Sequence, residues 1–201
     1  AAEQSWLEIL GGVDIDPAKA GKTLAELTGC AALGGANVFP SLGALFAAVG
    51  APDVVLHTAG SSAAASLAQM KPALERGISV ASTCEELIFP ALKTPDLARD
   101  YDDLCRRTGA RIAGTGVNPG FVMDILPICL TGVSREVTSI YVERVVNAST
   151  RRQPLQAKIG SGQNPDDFRA KFAAGKAGHA GFQQSVALLA HAMGWKLDEI
   201  R

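Results

Sequence analysis

The chain has 201 residues, a formal net charge of −1 and 47% hydrophobic residues, which is enough apolar material for at least one sizeable core. A charge this close to zero provides no strong field for nucleic acid or an anionic membrane. Glycine, proline or a charged residue interrupts each apolar run well before the ~20 residues that a transmembrane helix needs. We therefore expect no nucleic-acid partner and no membrane partner.

The four cysteines are scattered and form no C-x-x-C pair; they are Cys30, Cys84, Cys105 and Cys129. This spacing favours reduced thiols over disulfides or zinc, so we predict no metal site. The N-terminus lacks a basic region followed by an apolar run, so a cytoplasmic location is expected. The chain also starts without methionine, in what resembles the tail of a helix, and we expect it to be a fragment.

Short apolar runs alternate with helical stretches over the first part of the chain. The predicted strands are residues 7–13, 37–39, 53–57, 78–81 and 111–113. The predicted helices are residues 18–27, 42–49, 63–76 and 96–108. This alternation predicts an α/β fold with a parallel sheet and right-handed crossovers.

The pattern changes after a glycine-rich stretch at residues 111–127, R-I-A-G-T-G-V-N-P-G-F-V-M-D-I-L-P. Residues 136–147 alternate apolar and polar side chains, which predicts a long strand in a second, more antiparallel sheet. A basic loop is expected at 148–164, a helix from 164, a flexible turn at 175–181 and an apolar helix at 182–193. We place the domain boundary after residue 118, giving domains 1–118 and 119–201.

Polar side chains collect where the predicted strands of the first domain end. Ligands of open parallel sheets bind beyond the carboxyl ends of the strands, so this edge is the expected site. The residues are Asp14, Asp16, Thr58, Ser61, Ser62, Ser82, Thr83, Glu85, Glu86, Thr115 and Asn118.

Four of these segments together resemble one family. They are V-D-I-D-P-A-K-A-G-K, H-T-A-G-S-S, A-S-T-C-E-E-L and above all G-T-G-V-N-P-G-F-V-M-D. Two later segments, A-S-T-R-R-Q-P-L-Q-A-K-I-G and G-H-A-G, agree with the same family. The chain resembles the dihydrodipicolinate-reductase-like oxidoreductases, in the branch of 2,4-diaminopentanoate dehydrogenase and native amine dehydrogenases.

The resemblance implies a Rossmann-like, doubly wound parallel sheet followed by an α+β domain for substrate binding and dimerisation. It implies NAD or NADP as cofactor, a small amine or carbonyl compound with ammonia as substrates, and a homodimer. The opening strand and G-x-G-x-x-G turn of the family have no counterpart before Leu7, and family chains continue past Arg201. The first domain is therefore expected to be truncated at its N-terminus and the second to be partial.

The resemblance places the cofactor along the strand ends. Asp14 and Asp16 follow the second strand of the family fold, where an acid binds ribose hydroxyls and disfavours a 2′-phosphate. An ordinary Asp-Pro helix cap is the alternative for this turn. Lys19 and Lys22 lie close enough in sequence to meet a 2′-phosphate, so the choice between NAD and NADP stays open.

A second group of polar residues is expected to contact the nicotinamide half of the cofactor. It consists of His57, Thr58, Ser61, Ser62 and Thr83. Ser61 can also serve as the cap of the following helix.

Glu85 and Glu86 are the candidate catalytic residues. Imine reduction needs a proton donor, amine oxidation needs a base, and a carboxylate can supply both. The resemblance places an essential Glu in this segment, and we favour Glu85. Two solvated acids in a first helical turn are the alternative. Asn118 is the third catalytic candidate and is expected to bind the cofactor carboxamide or the substrate, with turn chemistry alone as the alternative. His179 is expected to contact the substrate.

Three other functions remain open at this point. The first is a dihydrodipicolinate-reductase-like imine reductase, although the basic, His-rich motif for a dicarboxylate is absent. The second is an aldehyde dehydrogenase with Cys84 as nucleophile and His179 or His191 as base. The third is an inactive Rossmann-type binding module, which the missing phosphate turn favours.

Overall fold

The computed structural model describes residues 2–175, 177–178 and 181–200. The strands are β1 (Gly11–Val13), β2 (Asn37–Phe39), β3 (Val54–His57), β4 (Ser79–Ser82) and β5 (Ile112–Gly114). The α-helices are α1 (Leu24–Thr28), α2 (Leu42–Val49), α3 (Ala63–Leu74), α4 (Pro95–Thr108), α5 (Ile125–Thr131), α6 (Gln153–Lys158), α7 (Pro165–Ala173) and α8 (Phe182–Met193). Short 3₁₀ helices occupy Ala31–Leu33, Glu85–Ile88, Pro90–Leu92 and Ala148–Thr150.

The strands form parallel sheets flanked by helices, which confirms the α/β prediction. β1 pairs in parallel with β2, with Gly11 opposite Asn37 and Val13 opposite Phe39. The other sheet has the order β3-β4-β5. Because parallel neighbours need a crossover connection, each of these strands is joined to the next through helical chain.

The chain divides into two compact units. The first consists of Ala1–Leu56, Leu67–Ala81 and Asp100–Ile112, and the second of His57–Ser66, Ser82–Arg99 and Ala113–Arg201. β3, β4 and β5 each begin in the first unit and end in the second. The domain boundary after residue 118 stays a prediction.

Each unit has its own buried apolar side chains. Leu67, Met70 and Leu74 on α3 lie in the first unit, with exposed fractions of 2%, 1% and 0%. Arg76 stacks over the Phe46 ring there, 4.7 Å from guanidinium carbon to centroid, a cation–π contact. In the second unit, Leu87 and parts of α8 are buried. None of the helices in the described part of the chain has the length and apolar character needed to cross a membrane.

Side-chain caps set the starts of several helices. Ser41 accepts a hydrogen bond from the Ala44 N–H and begins α2, whose bounds agree with the predicted helix at 42–49. Thr23 forms a capping box with Glu26 and begins α1.

The prediction for the first helix was wrong in its bounds. The chain at 17–21 forms turns, and the helix spans only Leu24–Thr28, because the capping box starts it at Thr23. The preceding strand is also shorter than predicted. Only Gly11–Val13 is paired, because β2 offers just three residues as partners.

The long strand predicted at 136–147 is also absent: these residues have no regular secondary structure. The alternation of the sequence favours a strand, but a strand needs a neighbour that completes its ladder of hydrogen bonds. No described residue supplies that ladder, and Tyr141 and Val145 are 86% and 87% exposed. The loop predicted at 148–164 instead contains α6 and a 3₁₀ turn, with Asn147 capping the turn.

Gly114, at the end of β5, packs directly on main chain. A Cβ at this position would collide with the carbonyl group of Leu87, with its carbon 2.6 Å away. Backbone atoms have little freedom to move aside, so this contact requires glycine.

We expect Gly114→Ala to lower the free energy of unfolding by about 1–3 kcal/mol, the range for overpacking a core. Chemical denaturation of the purified protein measures this. Gly35→Ala is the matched control, because its methyl group would meet nothing within 4 Å. Equal stability of the two variants would contradict the close packing of Gly114 on Leu87.

Candidate functional site

The carboxyl ends of β3, β4 and β5 are held together in the second unit. The Thr83 N–H donates to the His57 carbonyl at 3.0 Å, and the Thr115 N–H donates to the Ser82 carbonyl at 2.8 Å. Side chains reinforce this pairing, since His57 Nδ1 lies 2.9 Å from Ser82 Oγ and both residues are buried. The strand ends therefore form a fixed edge, which the 3₁₀ turn of Glu85–Ile88 follows.

Glu86 is committed to holding this edge together. Its Oε2 accepts the Ala63 N–H at the start of α3 at 2.8 Å, and its Oε1 lies 3.0 Å from Lys93 Nζ. A carboxylate at a helix N-terminus satisfies a free N–H and complements the helix dipole. Glu86 thus acts as the cap of α3 across a sequence gap of 23 residues.

Glu85, the adjacent acid, is placed differently. Among residues 2–175, 177–178 and 181–200, none donates a hydrogen bond to its carboxylate or pairs with it. The residue is half-buried, and its Cβ lies beside Gly181, where an added Cβ would come within 2.9 Å. The carboxylate of Glu85 is therefore available for a ligand.

A tight turn at residues 116–120 lies next to Glu85. Gly120 has φ +122° and packs on the main chain of Thr115 and Gly116, where a Cβ would come within 2.7 Å of the Thr115 carbonyl carbon. The turn includes a cis peptide bond between Asn118 and Pro119. Pro119 contacts Gly181, so the turn, the start of α8 and Glu85 meet at one place.

Asp124 holds this turn in place through a hydrogen bond. It is fully buried, and its Oδ2 accepts the Gly120 N–H at 2.8 Å and the Ser185 hydroxyl at 2.7 Å. Its Oδ1 accepts the Ile125 N–H at 2.7 Å and caps α5. The motif N-P-G-F-V-M-D thus closes on itself through its last residue.

The acidic turn after β1 lies in the first unit and contains an ion pair. Asp14 Oδ2 is 2.6 Å from Lys19 Nζ, and Asp14 Oδ1 accepts the Asp16 N–H at 2.9 Å. Lys19 and then the Asp16 N–H hold the pKa of the Asp14 carboxyl below its usual value, and Asp14 raises the pKa of Lys19. Both groups are therefore charged at neutral pH.

The remaining predicted residues differ in accessibility. Thr58, Ser61, Ser62 and Thr83 are exposed and can reach a ligand. Asn118 is half-buried, with its Oδ1 buried. His179 lies outside the described residues. Cys84 is 0% exposed, which gives its thiol no access to an aldehyde and does not support the nucleophile interpretation.

Comparison with known proteins agrees with the family resemblance that the motif N-P-G-F-V-M-D indicated. Residues 121–201 match the family model described as the 2,4-diaminopentanoate dehydrogenase C-terminal domain. Over 149 residues the chain is 37% identical to 2,4-diaminopentanoate dehydrogenase of Acetoanaerobium sticklandii, covering 74% of this chain and 42% of that protein. The chain is a relative of the 2,4-diaminopentanoate dehydrogenases and amine dehydrogenases. The resemblance that the motifs indicated is confirmed.

More distant matches cover nearly the whole chain. It is 27% identical to an amine dehydrogenase of Streptomyces virginiae, over 97% of this chain and 55% of that protein. Its fold matches that of the amine dehydrogenase from Mycobacterium smegmatis with a TM-score of 0.74 at 20% identity, covering 96% and 56% of the two chains. The chain spans about half the length of the relatives that it matches.

The structure of the present chain adds three residues to the candidate site that the sequence did not indicate. Lys93 holds Glu86, Ser185 holds Asp124, and Gly181 allows α8 to approach Pro119. Asp124 itself stands in the resemblance motif, but its burial was not predictable. Lys93 lies 7 residues from Glu86, and Ser185 lies 61 residues from Asp124, so no local pattern marks either contact.

Gly181 and Gly194 flank α8, and both have a positive φ, +95° and +67°. We expect Gly194→Ala to cost about 1 kcal/mol of stability, from backbone strain alone. Gly181→Ala carries the same strain and also collides with Pro119 and Glu85, so we expect a further loss of about 1–3 kcal/mol. Thermal denaturation of both variants measures the difference, and equal melting temperatures would contradict the contact at Gly181.

Proposed function

We propose that the protein is a nicotinamide-dependent oxidoreductase that interconverts a small primary amine, or an amino acid like 2,4-diaminopentanoate, and its carbonyl compound plus ammonia. The relatives named 2,4-diaminopentanoate dehydrogenase and amine dehydrogenase support this reaction class. The observation that carries the proposal is the half-buried Glu85 carboxylate, which is free of protein partners among the described residues while Glu86 is committed.

The residues at the strand ends fit a dinucleotide. In the first unit, the charged Asp14 carboxylate is half-exposed and can accept hydrogen bonds from ribose hydroxyls. In the second unit, Thr58, Ser61, Ser62 and Thr83 present exposed hydroxyls beyond β3 and β4. We propose that these hydroxyls contact the nicotinamide half of the cofactor, with His57 fixing the end of β3 through its contact with Ser82. The bound cofactor supplies or accepts the hydride.

Glu85 is the proposed proton-handling group. In the reductive direction an imine must be protonated, and in the oxidative direction the amine must lose a proton and the imine must be hydrolysed. A carboxylate within reach of the reacting nitrogen can donate or accept these protons. Gly181 lies beside the Cβ of Glu85, and Pro119 packs on Gly181. Asn118, on the same turn as Pro119, is the proposed hydrogen-bonding partner of the cofactor carboxamide or the substrate.

His179, the candidate substrate-binding residue of the sequence prediction, stays part of the proposed substrate site. The sequence lacks a basic, His-rich motif, which favours a substrate with little negative charge. The homodimer that the resemblance implies stays part of this proposal.

The direct test is reductive amination by the purified protein. We expect NADH or NADPH oxidation that depends on both ammonia and a small aldehyde or ketone. Oxidation that proceeds equally well without ammonia would show carbonyl reduction instead, and no oxidation with any carbonyl would refute the proposed activity.

Glu85→Gln should lower kcat by about 10²–10⁴-fold, because general acid–base groups contribute on that scale. Glu86→Gln is the matched variant, since it replaces a carboxylate by an amide at the adjacent residue. We expect it to lower the melting temperature, through weaker capping of α3, and to change kcat much less. Steady-state kinetics and thermal denaturation of both variants make the test. If Glu86→Gln loses more kcat than Glu85→Gln, the two roles are reversed.

We also propose that NAD is preferred to NADP. A 2′-phosphate would have to face Asp14, which the lowered pKa keeps ionised at neutral pH, while Lys19 is already paired with that carboxylate. Asp14→Ala removes the repulsion and releases Lys19. We expect kcat/KM for NADPH relative to NADH to rise roughly tenfold.

The pH dependence of this preference follows from the same pair. A carboxyl with a lowered pKa loses its charge only below its usual value, so the preference should persist as pH falls until the Asp14 carboxyl protonates in the acid range. Lys71→Ala, a change of an exposed lysine on α3 of the same unit that leaves the Asp14–Lys19 pair intact, is the control. Unchanged cofactor preference in Asp14→Ala would show that this acid does not face the ribose.

A further inference from the structure

The Oδ2 atom of Asp124 joins the tight turn at residues 116–120 to α8, and the residue before α8, Gly181, lies beside Glu85. It accepts one hydrogen bond from the Gly120 N–H at 2.8 Å and one from the Ser185 hydroxyl at 2.7 Å. Gly120 adjoins Pro119, and the Ser185 N–H donates to the Gly181 carbonyl at 3.1 Å, one helical turn away. Pro119 and Gly181 are the two residues that pack together beside Glu85.

Capping of α5 does not account for this arrangement. The cap uses Oδ1, which accepts the Ile125 N–H at 2.7 Å. The Oδ2 atom is therefore devoted to the turn and to α8. A fully buried carboxylate is strongly destabilised when a donor moves away, because its charge then lacks compensation. The two segments are held in one relative position as a result.

We infer that Asp124 and Ser185 are positioning residues for the proposed reaction, and this inference rests on the proposed function. They act through the Pro119–Gly181 contact, which sets where Glu85 lies relative to Asn118. Neither residue needs to touch the substrate. Their effect is on the alignment of the proton-handling group with the reacting nitrogen, and displacements of about 1 Å at such a group can cost roughly 10²-fold in rate.

Ser185→Ala is the informative variant because it removes one of the three donors and leaves the backbone donors in place. We expect kcat to fall roughly 10–100-fold while the KM for the nicotinamide cofactor stays within about twofold. A loss confined to kcat separates alignment from cofactor binding.

Two control variants separate positioning from general stability. Ser41→Ala removes the cap of α2 in the first unit and should lower the melting temperature by about 2–4 °C with kcat unchanged. Ser66→Ala removes a hydroxyl that is as buried as that of Ser185 but to which no described residue is hydrogen-bonded. We expect its kcat to remain within twofold of wild type.

Amide hydrogen exchange at Gly120 provides a readout that needs no turnover. Exchange should be faster in Ser185→Ala than in Ser41→Ala, since the carboxylate that holds the Gly120 N–H loses its tie to α8. Unchanged exchange overturns the tie. Faster exchange with kcat equal to that of Ser41→Ala overturns the positioning role of Ser185. An inactive wild-type protein refutes the proposed function, and Gly120 exchange still tests the link between the turn and α8 through Asp124 and Ser185.

Discussion

Close packing at three glycines is the constraint on which the rest of the second unit depends, against main chain at Gly114 and Gly120 and against the Pro119 ring at Gly181. Gly114 lies against the Leu87 carbonyl, Gly120 against Gly116, and Gly181 against Pro119. There is no room for a side chain at these three positions. The glycines therefore bring the end of β5, the tight turn and the start of α8 closer to their neighbours than other residues would allow. The hydrogen bonds of Asp124 and Glu86 then hold what the glycines permit. The polar groups that take no part in these contacts, including the half-buried Glu85, are the ones that can bind a ligand.

The sequence predicted the fold well wherever the signal is local. Apolar runs flanked by glycine located β2 to β5, and Ser41 located the start of α2. The errors occur where pairing or capping decides. Thr23 and Glu26 start α1 later than periodicity suggests, and residues 136–147 have the alternation of a strand but find no ladder among the described residues. Alternation of apolar and polar residues indicates that the side chains suit a sheet. Strand formation also depends on a pairing strand, which is often distant in sequence.

The site was predictable as a set of residue types, but not as a set of roles. The topology rule for parallel sheets located the polar edge, and Glu85 and Glu86 stood out together. What distinguishes them is Lys93 and the first N–H of α3, and neither contact has a sequence signature. Asp124 shows the same limit. A carboxylate after a glycine turn is typical of a helix cap, and only the hydrogen bond from Ser185 shows that Asp124 also contacts α8.

The exposed position of the Asp14–Lys19 pair has a consequence for the choice of cofactor. Both side chains are substantially accessible, at 35% and 43%, so mobile ions reach them. At physiological ionic strength the Debye length is about 8 Å, and it shortens to about 3 Å in molar salt. The proposed repulsion between Asp14 and a 2′-phosphate would therefore weaken as salt is added, whereas the buried hydrogen bonds around Asp124 are shielded from salt. Under the proposed function, ionic strength would change the preference between the two dinucleotides and leave the position of the turn beside Glu85 unchanged.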